Sequence, residues 1–141
     1  GHPNQLEPHK RPYHTIIPAM ATNVVDGELI GPFGVMGGFM QPQGHLQVAH
    51  NLFLDHVDPQ TAVDLPRFCI LPESTSQEIA LEEGISLRTI SQLADMGHVV
   101  KPISGMKRAL FGRGQIILKN QDGVLVAGSD PRADGCAMTL I

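Results

Sequence analysis

A chain of 141 residues, 42% of them apolar, is long enough for one domain that buries roughly two-thirds of its unfolded surface. The formal charge of −4, with acids and bases interspersed, gives no basic stripe for nucleic acid or an anionic membrane, and no stretch approaches the ~20 uninterrupted apolar residues of a membrane span. Cys69 and Cys136 form no CxxC pair and His45, His50 and His56 fall on no single helix face, so no metal, redox or disulfide framework is expected and no compartment follows.

In chain order, residues 1–12 are Pro-rich and polar and read as an irregular arm. The opening "GHPNQLEPHKRPYH" has neither an apolar signal region nor an initiator Met and reads as the inside of a longer protein. From His14 to Asn23, β-branched and apolar residues around Pro18 predict a strand at an edge or with a bulge. Asp26-Gly27 predicts a hairpin turn, and "ELIGPFGVMGG" returns as a second strand. Leu46, Ala49, Leu52, Phe53 and Val57 then follow the three-and-four spacing of a helix over 44–57 with one buried stripe.

Asp58-Pro59 supplies an N-cap and a first-position Pro for the short helix "PQTAVD". "RFCIL" and "EIALEEG" read as strands on either side of the polar loop "PESTSQE". Ser86 caps a helix over 87–96, Ile85 and Ile90 take the two staple positions, and Gly97 stops it. "HVVKPI" is extended, and "ALFGRGQIILK" and "VLVAGSD" pair as a hairpin across Asn120 to Gly123. Strands at both ends with helices between predict a single α+β domain over 1–141, with helices covering a mixed or antiparallel sheet.

Between Gly31 and His45 stand five glycines in fifteen residues. No Lys follows them before the helix, which removes a Walker loop, and the spacing does not fit a dinucleotide fingerprint. Gly37-Gly38 at the end of a strand, just ahead of a helix, has the geometry of an oxyanion hole, in which main-chain N–H groups face developing negative charge. Two glycines serving only a tight turn fit the same residues, and nothing local separates the two readings. "GRGQ" from Gly112 to Gln115 likewise fits either a β-bulge or a segment beside a site.

Taken together, "KRPYHTIIPAM", "GVMGG", "QTAVDLPRF" and "GSDPRADG" resemble, in order and spacing, the small subunit of the γ-glutamyltransferase (γ-glutamyltranspeptidase) family, over essentially the whole chain. The resemblance implies part of an N-terminal-nucleophile (Ntn) hydrolase αββα sandwich, from a precursor that cleaves itself to expose a Thr. That Thr is the nucleophile and its own α-amine the general base. In the family it precedes the Lys-Arg-Pro motif, so it is expected upstream of these residues and the 141 residues alone are expected to be inactive. None of Thr15, Thr22, Thr61, Thr75, Thr89 or Thr139 matches the cleavage site.

The resemblance assigns Gly37 and Gly38 to the oxyanion hole. It places His14 and Thr15 where the family carries two serines that hold the donor's α-carboxylate. Thr15 keeps a hydroxyl, whereas His14 brings a bulkier ring, so donors other than glutathione are expected. Arg67, Asp130 and Arg132 fall in motifs tied to folding and maturation, and Asp130-Pro131 is expected to start a turn whose carboxylate bonds N–H groups two residues on.

No cofactor is implied. The implied partners are the rest of the parent protein, namely the large subunit and the N-terminal strands of the small one, and a small γ-glutamyl or acyl-amide substrate, with no nucleic acid and no membrane. An exposed sheet edge and apolar face are expected to drive self-association or a domain-swapped homodimer. Two rival readings stand beside the γ-glutamyl hydrolase/transferase: a cephalosporin (glutaryl) acylase-like amidase on the same scaffold, and a non-catalytic binding or assembly domain.

Overall fold

The computed structural model describes residues 1–71 and 78–139. Residues 1–18 carry neither helix nor strand. Strand β1 is Ala19–Thr22, shorter than the span expected from His14, because it begins only after Pro18 and pairs with β2, Leu29–Met36, until the register shifts at Ala21/Thr22. The Asp26 carboxylate accepts the Glu28 N–H at 2.9 Å and Asn23 closes the other side of the turn, as the Asp-Gly pair predicts.

A 3-10 turn, Gly38–Met40, leads into helix α1, Gln41–Phe53, three residues ahead of the expected start. The buried face of α1 also differs from the expected stripe: it runs through Gln41, Gly44, Val48 and Leu52, leaving Leu46 exposed. Close approach sets this phase, since a Cβ on Gly44 would stand 2.7 Å from Val35 Cγ1. Helix α2, Pro59–Asp64, forms as predicted: the Asp58 carboxylate accepts from the Gln60 and Thr61 N–H groups and Pro59 gives up no donor the first turn needs.

Strands β3 (Phe68–Ile70) and β4 (Glu78–Glu82) pair antiparallel; of the loop expected over 72–78, residues 72–77 lie outside the described residues and Glu78 opens β4. Helix α3, Leu87–Asp95, is capped by Ser86, whose hydroxyl accepts the Thr89 N–H at 3.0 Å, and it carries the chain over to β5, Val99–Ile103, parallel to β4. The stretch from Ala109, expected to be strand, is instead the end of a 3-10 turn, Gly105–Phe111, because Phe111 turns inward to full burial. β6 (Arg113–Lys119) and β7 (Leu125–Ser129) then form the expected hairpin. No bulge interrupts "GRGQ": Met36↔Arg113, Val35↔Gly114, Gly34↔Gln115 and Phe33↔Ile116 form a continuous ladder.

Two sheets result, β1-β2-β6-β7, antiparallel throughout, and β3-β4-β5, mixed. Helices α1 and α2 cover one face of the first, where Val35, Val48, Leu52, Ala62, Val63 and Ile116 make a buried apolar core. A second core of Met40, Cys69, Ala80 and Phe111 joins the 3-10 turns to the second sheet. On the uncovered face of the first sheet, Met20, Met36 and Ile117 are 62%, 56% and 41% exposed.

Candidate functional site

Strand β2 ends at Met36, and the chain reverses through Gly37 (φ 157°, ψ 30°) and Gly38 (φ 57°). Each glycine is required for its own reason. Gly38 sits in the left-handed region, where an L side chain is strained by roughly 1–2 kcal/mol. At Gly37 space decides: a Cβ would stand 3.0 Å from Gly112 Cα and 3.3 Å from Met40 Cβ.

The carbonyls of both residues are engaged, Gly37 O accepting the Met40 N–H at 3.0 Å and Gly38 O the Gln41 N–H. Among the described residues, neither the Gly37 nor the Gly38 N–H donates to a protein acceptor. Both glycines line a cleft of about 860 Å³ between the β2–β6 sheet and the segments 15–19 and 136–138. Two main-chain donors with no internal acceptor at the wall of a cleft can donate to an anionic oxygen. The tight-turn and oxyanion readings are therefore compatible.

Thr15 lines the same cleft, whereas His14, its sequence neighbour, is exposed and contributes nothing to the wall. The arm that carries Thr15 is tied down by two residues for which the sequence offered no signal. Gln41 Nε2 donates to Thr15 O at 3.0 Å, and His45 lies with Nε2 2.7 Å from Ile17 O and Nδ1 2.7 Å from Gln41 O. Gln41 is nearly buried, so its amide is committed to this contact. Arg113 and Gln115, on the outer side of β6, complete the polar part of the lining. Gln115 Oε1 accepts the Ser129 hydroxyl at 3.0 Å.

Arg67, Asp130 and Arg132 lie behind the cleft in a buried ionic network. Arg67 Nη2 donates to Asp130 Oδ2 at 2.7 Å, and the same oxygen accepts the Gly114 N–H at 2.6 Å. Asp130 Oδ1 accepts the Arg132 N–H at 2.9 Å, the turn contact its sequence position predicts, and Arg132 Nη1 at 3.0 Å. Arg132 also grips Glu82 with two parallel bonds of 2.7 and 2.6 Å, and Arg108 Nε reaches Glu82 Oε1 at 2.7 Å. Arg67 Nη1 donates to Phe111 O at 3.1 Å and Nη2 to Val63 O at 3.1 Å.

Burial pushes the Glu82 carboxyl up, but the bonds from Arg132, Arg108 and the Arg67 N–H outweigh it and hold the group below the usual carboxylate range. Asp130 behaves alike: burial raises it, and Arg67 with the Gly114 and Arg132 N–H groups lowers it further than that. Glu82 and Arg108 carry no motif of their own, so only the fold reveals them. Among the described residues no group of three or more His, Cys, Asp or Glu side chains could hold a metal ion, and no helix is long and apolar enough to cross a membrane.

Comparison with known proteins bears on the family and the fold. The family profile described as gamma-glutamyltranspeptidase matches residues 1–140. The glutathione hydrolase-like YwrD proenzyme of Bacillus subtilis (strain 168) is 32% identical over 99% of this chain and 26% of its own length. The oxamate amidohydrolase proenzyme of Klebsiella pneumoniae is 31% identical over 94% of this chain and 25% of its own length. The solved cephalosporin acylase from Bacillus halodurans superposes with a TM-score of 0.77 at 42% identity, over 93% of this chain and 23% of that one. The chain thus spans about a quarter of the length of these relatives. Its two sheets and covering helices are one part of the αββα sandwich of the Ntn hydrolases. With its profile matched from end to end of the described structure and its motifs in order, the chain belongs to the γ-glutamyltranspeptidase family.

Proposed function

We propose that the protein containing this chain is an Ntn amidase of the γ-glutamyl hydrolase/transferase type, in which these residues supply the oxyanion donors and one wall of the donor pocket. The observation that carries this reading is the pair of uncommitted N–H groups at Gly37 and Gly38 on the wall of the cleft.

A Thr from a segment outside these residues attacks the amide carbon of the donor, its own α-amine taking the hydroxyl proton. Charge builds on the carbonyl oxygen, where Gly37 and Gly38 N–H bonds stabilise it; losing one such donor typically raises the barrier by about 3 kcal/mol. The C–N bond then breaks, the amine leaves with the proton, and the ester on Thr passes its acyl group to water or to an amino group. Thr15 lies in the donor pocket with its backbone fixed by Gln41. Arg67, Asp130 and Arg132 serve folding and maturation: Arg67 and Asp130 hold the start of β6 at Phe111 and Gly114, and Arg132 ties Asp130 to Glu82. The large subunit and the remaining strands of the small subunit cover the exposed sheet face around Met20.

Expression of the complete protein tests this reading. Its mass should split into two chains with a Thr at the new N-terminus, and it should release the chromophore from a γ-glutamyl anilide. An unsplit protein without turnover of any acyl anilide would overturn it. A glutaryl acylase on the same scaffold is the second reading, favoured by the 42% identity to the cephalosporin acylase and by His14 standing off the cleft wall. A donor panel separates them: a γ-glutamyl enzyme loses most of its rate when the donor's α-amine is removed, and an acylase does not.

A further inference from the structure

Helix α1 is fastened to strand β3 by side chains that take the place of a neighbouring strand. Gln47 Oε1 accepts the Phe68 N–H at 2.9 Å while its Nε2 donates to Phe68 O at 3.0 Å. One helical turn earlier, Gln43 Oε1 accepts the Ile70 N–H at 2.8 Å and its Nε2 donates to Ile70 O at 3.2 Å. Each side-chain amide thus exchanges both bonds with one residue, as two facing residues do in a hydrogen-bonded pair of an antiparallel ladder.

Two repeats make the fit. Four residues of helix rise about 6 Å and two residues of strand advance about 6.7 Å, so Gln43 and Gln47 meet Ile70 and Phe68 in turn, with the helix running against the strand. Alternation along β3 does the rest. Arg67 O accepts the Glu82 N–H and the Leu71 N–H donates to Glu78 O, so residues 67 and 71 turn their backbone to β4 while Phe68 and Ile70 turn theirs to α1.

The glycine turn is seated on the same strand. Met40, which closes the 3-10 turn after Gly37, enters the buried core that holds Cys69, the β3 residue between Phe68 and Ile70. Its Cβ stands 3.3 Å from where a Gly37 Cβ would lie. Within the turn the Met40 N–H donates to Gly37 O and the Gln41 N–H to Gly38 O, so the first residues of α1 and the two glycines move together.

We infer that Gln43 and Gln47 are positioning residues: as a surrogate strand along β3 they fix where α1 begins, and so where the Gly37 and Gly38 amides stand. Their effect on rate rests on the reading of those amides as the oxyanion hole, whereas their hold on the turn does not.

The test uses the complete protein and its Q43M, Q47M double variant, which keeps the apolar stems and removes the amides. Hydrogen exchange should quicken by about 10-fold at the Phe68 and Ile70 amides and, in the turn, at Met40 and Gln41, while Leu71, bonded to β4, keeps its rate. With whichever of γ-glutamyl and glutaryl p-nitroanilide the wild type turns over, single-turnover acylation should slow by about 10-fold or more. KM should stay within about three-fold, because the arm that carries Thr15 is tied to Gln41 and His45 instead. Ser86→Ala, which uncaps α3, is the stability control and should lower the melting point with acylation unchanged.

An unchanged acylation rate in an active protein overturns the inference, as does unchanged exchange at Met40 and Gln41 or at Phe68 and Ile70: the glutamines would then support the fold without placing the turn. A KM that rises by the same factor as the rate falls would mean that the pocket had moved, and overturns it too. If the double variant does not fold, Q43M and Q47M are read singly by the same criteria. In a wild type without turnover the amidase reading falls, and exchange at Met40 and Gln41 alone decides whether the glutamines hold the turn.

Discussion

Arg67 Nη2 and Asp130 Oδ2 stand 2.7 Å apart with both side chains withdrawn from solvent, and the same carboxylate oxygen holds the Gly114 N–H at 2.6 Å. The pair joins the end of α2 to β6 and β7, and Arg67 extends the link to the Phe111 carbonyl just ahead of β6. A buried ion pair of this kind adds little net stability over a well-packed apolar substitute, but breaking it from one side strands the other charge.

Asp130→Asn should therefore destabilise the complete protein by about 3 to 5 kcal/mol, read from urea unfolding at neutral pH. The double change of Arg67→Met with Asp130→Leu should recover part of that loss, because it removes both charges together. Equal losses in single and double variants would show that the two residues do not act as a pair.

Acid should weaken the fold through Glu82 and Asp130. Both carboxyls lie below their ordinary range in the folded state, so their contribution is complete above the unfolded carboxylate range of ~4 and is lost as pH falls through the lowered folded values. Thermal midpoints of the complete protein should stay level from about pH 7 to 5 and drop below about pH 4. An Asp130→Asn, Glu82→Gln variant should start lower and show a shallower fall over that window.

Gly37 and Gly38 should fail differently when given a methyl group. Gly38→Ala meets no atom within 4 Å and carries only the left-handed backbone strain, so its melting point should fall slightly while the single-turnover acylation rate falls by about 100-fold as the N–H turns away. Gly37→Ala also collides with Gly112 Cα at 3.0 Å and should lose more stability than Gly38→Ala. Matching melting points for the two variants would contradict this geometry.

Met20, Met36 and Ile117 present an apolar face that no described element covers. The 141-residue chain purified alone should self-associate at high concentration, and Ile117→Lys together with Met20→Lys should shift it toward monomer in light scattering. A monodisperse unmodified chain would show that this face is tolerated in water.

Much of the local architecture was legible in residue order, because the forces that set it act within a turn or two. Asp58-Pro59 and Ser86 start their helices by bonding N–H groups two or three residues away, and Asp26-Gly27 closes its hairpin for the same reason. Gly37-Gly38 could be singled out as a pair, and four ordered motifs were enough to indicate the family. Residue order misplaced the features decided by distant partners. The α1 stripe followed Gly44 against Val35 instead of Leu46, and Phe111 left the strand pattern to enter a core with Met40 and Cys69.

The site divides along the same line. His14 and Thr15 are neighbours in sequence, yet only Thr15 reaches the cleft, since Gln41 and His45 on α1 fix how the arm lies. Glu82 and Arg108 have no motif because their partners lie 15 residues or more away along the chain. The sequence by itself determined the turns, the helix starts and the glycine pair, since short-range bonds and allowed dihedrals are properties of adjacent residues. Tertiary structure alone decided which amides remain free and which carboxylates the buried arginines meet, because a donor's partner is defined by everything packed around it.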